Sequence, residues 1–138
     1  MTIDTNVRLL AFETIQDIIN DKAYSNIIIN EVLSNNELNR ADKSLFTELV
    51  YGTLKRKYTL DYLLKPFVQT KLKGWVRQLL WMSIYQYAYL DKIPEHAIIH
   101  EAVEIAKYKG GPHNGNVVNG ILRNMMRSEL PDFTEITD

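Results

Sequence analysis

The 138-residue chain contains no cysteine. That absence excludes disulfide frameworks, thiolate metal sites and every mechanism built on a cysteine nucleophile. Long apolar runs are missing as well, since no stretch approaches the roughly 18 uncharged apolar residues of a membrane span. The first twenty residues carry Asp4, Arg8, Glu13 and Asp17 where a signal peptide would have an apolar centre. A soluble, cytoplasmic protein without a membrane partner is therefore expected. No internal repeat and no low-complexity tract stands out either.

What is present is material for one core. Hydrophobic residues make up 46% and charged residues 24% of a chain of single-domain length. The net charge of -1 conceals a segregation: residues 1–54 carry -4, residues 55–127 carry +7 and residues 128–138 carry -4. A basic middle between acidic ends predicts a positive surface on a nearly neutral protein.

Apolar residues recur three and four apart, the period of helices. Asp4 or Thr5 is placed to cap a first helix to about Ile19, and Ser25 a second through Leu33. Ser34 to Lys43 is polar and turn-rich, a connection to a third helix carrying Leu45, Phe46, Leu49, Val50 and Leu54. Leu60, Leu63, Leu64 and Phe67 give a short fourth helix, and Trp75 to about Leu90 a fifth that is apolar on most sides. Pro94 opens a sixth that Gly110 and Gly111 end, and Pro112 and Asn114 open a seventh to about Leu130. The fold class is all-α, a compact bundle of about seven helices. Residues 131–138 read as an acidic tail or the start of a linker with little to bury.

The sharpest chemical signal is basic. Lys55, Arg56, Lys57, Lys65, Lys71, Lys73 and Arg77 lie within 23 residues and face only Asp61. A solvated helix face would interleave acids as i,i+4 partners, so phosphate binding is the better reading. Lys107 and Lys109 could extend such a surface or simply offset the negative end of the sixth helix. Arg123 and Arg127, four apart on the seventh helix, share one side. The aromatics of the fifth helix could stack on bases, but they are read as core, with Trp75 the one candidate for exposure. His96 and His100 have the spacing of a zinc pair. They lack a zincin's glutamate and a third ligand, so no metal is expected, and a capping or packing role is assigned to His96. The Gly110 to Asn116 stretch lacks the spacing of a phosphate loop. Gly120, inside a helical pattern, is expected to permit close approach of another helix, and neighbouring Asn119, if buried there, would need hydrogen-bond partners.

Four phrases carry a family resemblance: AYSNIIIN (23–30), ADKSLFTELVYGTLKRKYTLDYLL (41–64), LLWMSIYQYAYLDKIPEHAIIHEAVEIAK (79–107) and NVVNGILR (116–123). They resemble the NusB-like fold, and within it the N-terminal domain of the RsmB (Sun/Fmu) 16S rRNA cytosine-C5 methyltransferases. The resemblance implies seven helices in two helical subdomains and a role in RNA binding. It also implies a position ahead of a catalytic domain that binds S-adenosylmethionine. The free-standing NusB antitermination factor begins with an arginine-rich segment where this chain has only Arg8, which favours the methyltransferase branch. Methylation at a pyrimidine C5 needs a thiolate, and the chain has neither cysteine nor a glycine-rich turn for a cofactor. No cofactor is expected in this chain.

Residues 1–130 are thus expected to form an RNA-binding domain whose phosphate contacts are Lys55, Arg56, Lys57, Lys71, Lys73, Arg77, Lys107, Lys109, Arg123 and Arg127. Its expected partners are ribosomal RNA and a C-terminal methyltransferase domain. The alternatives are an antitermination factor acting with a ribosomal protein, and a module that only packs against its catalytic neighbour.

Overall fold

Seven helices account for most of the residues described by the computed structural model, which are 6–21 and 24–134, and no strand occurs among them. Helix α1, Val7–Asp21, begins where the Asn6 side-chain oxygen accepts hydrogen bonds from the backbone N–H groups of Arg8 (2.8 Å) and Leu9 (3.1 Å). Asn6 is therefore the cap. The expected caps Asp4 and Thr5 lie outside the described residues. Helix α2, Ser25–Asn35, has Tyr24 at its N-cap with no side-chain bond, so Ser25 is its first residue and not its cap. Helix α3, Arg40–Lys55, starts four residues into the stretch that reads as a connection once α2 has taken its share, because the Asn39 side chain accepts the N–H of Asp42 at 2.8 Å. Its first turn is polar because it faces solvent, and that polarity hides it in the sequence.

Helix α4, Lys57–Leu64, runs into a 3₁₀ turn at Lys65–Phe67, and α5, Gly74–Tyr89, α6, Glu95–Gly110, and α7, Pro112–Arg127, follow. The chain divides into two compact units, Met1–Leu54 and Lys55–Asp138. In the first, α1 packs on α2 and buries Phe12 and Ile15, while α3 buries Phe46, Leu49 and Val50. In the second, α5 packs against α4, α6 and α7, and α6 and α7 form a closely packed hairpin. Helix α5 buries Val76, Leu79, Leu80, Met82, Ile84 and Tyr85. Two of its buried polar side chains bond locally, Ser83 donating to the Leu79 carbonyl (2.9 Å) and Gln86 to that of Met82 (3.1 Å), while the buried Gln78 Oε1 finds no hydrogen-bond partner among the described residues. The fifth helix is central to this unit, as its all-round apolarity predicts.

Two sequence expectations need correcting here. Helix α7 stops at Arg127, three residues short of the expected end, with Ser128 as an extended C-cap. The segment after it is not idle: the Phe133 ring meets Tyr89 edge-on, centroids 5.3 Å apart. A turn brackets it, in which Asp132 accepts bonds from the Thr134 N–H and hydroxyl at 3.0 and 2.8 Å. Those bonds hold the Asp132 carboxyl below the usual range.

The glycine argument moves to other residues. Gly120 is exposed, and a Cβ built on it would meet nothing within 4 Å. It does not admit another helix, and Asn119 is half-buried and accepts a bond from Arg123 at 2.9 Å. Close approaches occur at Gly115, where a Cβ would come within 2.6 Å of the Lys107 side chain on α6, and at Gly110, where it would come within 2.5 Å of the Asn114 amide nitrogen and 2.6 Å of the Trp75 ring. Gly111, at φ 89°, makes the left-handed turn between α6 and α7. Gly110→Ala is expected to destabilise the protein by about 1–3 kcal/mol through overpacking, whereas Gly120→Ala should stabilise it by about 0.5–1 kcal/mol through helix propensity alone. Urea unfolding of both variants checks the pair, and a loss of stability in Gly120→Ala would refute the reassignment.

Candidate nucleic-acid interface

All ten candidate phosphate contacts are at least partly accessible: Lys55, Lys71, Lys73, Lys107, Lys109, Arg123 and Arg127 are exposed, and Arg56, Lys57 and Arg77 half-buried. The structure does not gather them into one patch. Arg56 lies over the Tyr89 ring, 4.5 Å from its centroid, which puts the Lys55–Arg56–Lys57 run at the C-terminal end of α5. Lys73 is the N-cap of α5, and the Lys109 ammonium lies 5.7 Å from the centroid of Trp75 at that helix's start. Lys71, Lys73, Lys107 and Lys109 therefore surround the opposite end. From Trp75 to Tyr89 the helix rises about 21 Å at 1.5 Å per residue. Two basic poles result. Arg123 and Arg127 lie towards the first pole, lining a cleft of about 220 Å³ with Glu95, Ile99 and Met126 near the start of α6. Glu95 offsets part of their charge there.

Arg77, one turn after Lys73 at the second pole, is already engaged. Its guanidinium donates to the Asp61 carboxylate at 2.6 Å, and the Trp81 indole N–H donates to the same oxygen at 3.0 Å. Asp61 thus ties α4 to α5 and neutralises Arg77, the one role in the basic run that its lone acid plays. Lys107 has a looser acidic partner in Glu104 at 3.6 Å. Among the described residues no acid lies within ion-pair distance of Lys55, Lys57, Lys71 or Lys73.

Arg56 is fixed differently. Its cation rests on a ring that also stacks with Tyr85 (5.3 Å, 21° between planes) and meets Phe133. An arginine whose cation rests over an aromatic ring still has N–H donors to offer a phosphate. Trp75 is half-buried over Gly110 and is not a free platform. His96 and His100 are both exposed, no side chain capping α6 is found at Pro94, and no group of three His, Asp or Glu among the described residues could hold a metal ion. The capping or packing role read for His96 is therefore not seen.

Comparison with known proteins decides the family. The model of the NusB family matches residues 5–127. The chain belongs to the NusB family. It is 48% identical over 136 residues to the probable ribosomal RNA small subunit methyltransferase B of Bacillus subtilis, a match covering 97% of this chain and 30% of that protein. It is 32% identical over 110 residues to the transcription antitermination protein NusB of Bacillus licheniformis, covering 77% of this chain and 84% of that one. The chain thus spans about a third of the length of its methyltransferase relatives. Two solved structures share the fold: T. maritima NusB, with a TM-score of 0.80 at 24% identity over 94% of both chains, and a chain of antitermination factors NusB and NusE in complex with dsRNA, with 0.79 at 19% over 91% and 97%.

In this NusB-family chain the sequence reading overlooked the aromatics outside α5. Tyr58 and Tyr62 on α4 and Tyr108 on α6 are exposed, each with a lysine next to it or within one turn. The signal was available: in KYTLDYLLK both tyrosines fall off the stripe set by Leu60, Leu63 and Leu64. The Asp61 tie makes a prediction of its own. Asp61→Ala should destabilise the protein by about 1–2 kcal/mol, since both partners of the ion pair are about one-third exposed but the bond from Trp81 is lost as well. Thermal unfolding and Trp81 fluorescence check this; an unchanged midpoint would show that the tie contributes nothing.

Proposed function

We propose that this chain is a non-catalytic RNA-binding domain of a 16S rRNA (cytosine-C5) methyltransferase, which helps a catalytic domain engage its ribosomal RNA substrate. The observation that carries the RNA part is the set of accessible cations without acidic partners among the described residues, Lys55 and the half-buried Lys57 at one pole and Lys71 and Lys73 at the other. The likeness to a chain solved together with dsRNA supports it. The 48% identity over nearly the whole chain to part of a longer methyltransferase supports the second half. In this reading the nucleophile and S-adenosylmethionine belong to the other domain, because C5 methylation requires a thiolate this chain does not possess. In this reading Phe133 anchors the segment that follows α7 against Tyr89.

A second reading has its own observation: antitermination proteins match over most of their length. An antitermination factor would bind RNA together with a ribosomal protein and would need no further domain. Whether the reading frame continues past Asp138 into a cysteine-containing domain separates the two.

Charge reversal tests the RNA part for both. Lys55→Glu with Lys57→Glu, and separately Lys71→Glu with Lys73→Glu, should weaken binding to unrelated RNAs to the same degree, because phosphate contacts position without reading sequence. Each lost contact should flatten the slope of log affinity against log salt by about 0.7–0.9. Arg56 is left in place since it also holds Tyr89. Should both variants keep the affinity and the salt slope of the parent, the poles face a protein neighbour and the chain is a packing module.

A further inference from the structure

The outward face of α4 has no role in the fold. Thr59, Leu60, Leu63 and Leu64 are buried on its other side, while Tyr58 and Tyr62 stand 67% and 50% exposed. Four residues apart, their Cβ atoms lie about 5–6 Å from each other on one surface. Lys65 continues that surface, because its backbone stays helical at φ -50° and ψ -45° after α4 ends. The Lys57 ammonium sits 5.2 Å from the centroid of the Tyr58 ring. Asp61, on the edge of the same face, is engaged by Arg77 and Trp81 and leaves no uncompensated negative charge.

We propose that Tyr58 and Tyr62 are a stacking platform for unpaired RNA bases, with Lys57 and Lys65 meeting the phosphates on either side. The proposal rests on the RNA-binding reading and deepens it, from phosphate contact to a preference for single strands. Two features choose RNA over a protein occupant. Tyrosine offers a broad π-face at little conformational cost, and every base presents a matching face when unstacked. The side chains beside the rings are lysines rather than the aliphatic residues that line protein-docking helices, so the face is complementary to a polyanion. In a duplex the base faces are covered by their neighbours, so only loops, bulges and ends can use the platform.

The test compares the whole chain with Tyr58→Ala/Tyr62→Ala and Tyr58→Phe/Tyr62→Phe. Each is titrated into a fluorescent, unstructured oligoribonucleotide and into the duplex of the same sequence. The alanine pair should lose roughly 5- to 150-fold in single-strand affinity per stacked base. Its duplex affinity and its salt slope should stay at parent values, since no phosphate contact is removed. The phenylalanine pair should bind as the parent does. Circular dichroism shows whether the alanine pair remains helical, and the phenylalanine pair supplies the answer if it does not: a loss there would point to the hydroxyls and overturn stacking. Equal losses on single strand and duplex, or no loss on either, would also overturn the platform and leave the face to a protein partner. If the parent binds RNA and only the lysine variants weaken it, stacking alone fails. If the parent binds no RNA, the RNA-binding reading fails with it.

Discussion

The burial of α5 constrains everything else in the second unit. A helix apolar on nearly all sides must be covered on nearly all sides, and here α4, α6 and α7 provide the cover. Along most of its length no charge can remain except where it is paired, and Arg77 with Asp61 is that case. The remaining cations are displaced to the two ends, where the covering helices start and stop. A run of lysines and arginines contiguous in sequence is thereby split in space, because α4 runs antiparallel to α5 and carries its beginning to the far end.

Aromatic residues divide by the same rule. Tyr85 and Tyr89 belong to the central helix and are absorbed into a stack that also seats Arg56 and Phe133. Tyr58 and Tyr62 belong to a covering helix, which has one face to bury and one to leave outside. The side chains are alike and their fates opposite. What separates them is whether the stripe of leucines around them occupies one side of the helix or most of it.

Much of this was legible in the sequence, and the failures share a cause. The number and order of helices followed from apolar spacing, and Gly110, Gly111, Pro94 and Pro112 marked the ends of α6 and α7 where the structure has them. Polar residues misled at boundaries: Ser25 looked like a cap and is a first turn, and Arg40 to Lys43 looked like a loop and are helix. Gly120 and Gly110 show the limit most clearly. Gly120 interrupts a helical pattern and Gly110 ends one, but only knowledge of what lies opposite tells that Trp75 presses on Gly110 while Gly120 floors a shallow groove beside Thr70 and Leu72. The basic run was legible as chemistry and misleading as geometry, since sequence proximity placed Arg56 and Lys73 in one cluster and the antiparallel pair placed them apart.

That separation changes the electrostatic argument. A net charge of -1 gives the chain no long-range attraction for a polyanion. At physiological salt, however, charges are screened over about 8 Å, well short of the roughly 21 Å between the poles. A phosphate close to Lys55 and Lys57 experiences those two cations and little of the total, and one close to Lys71 and Lys73 does likewise. Each pole is then a local anion site whose strength depends on its unpaired lysines and not on the balance of the whole chain. Near-neutrality and phosphate binding are compatible for that reason: overall charge sets the rate of encounter, and local charge at each end of α5 sets what is held after it.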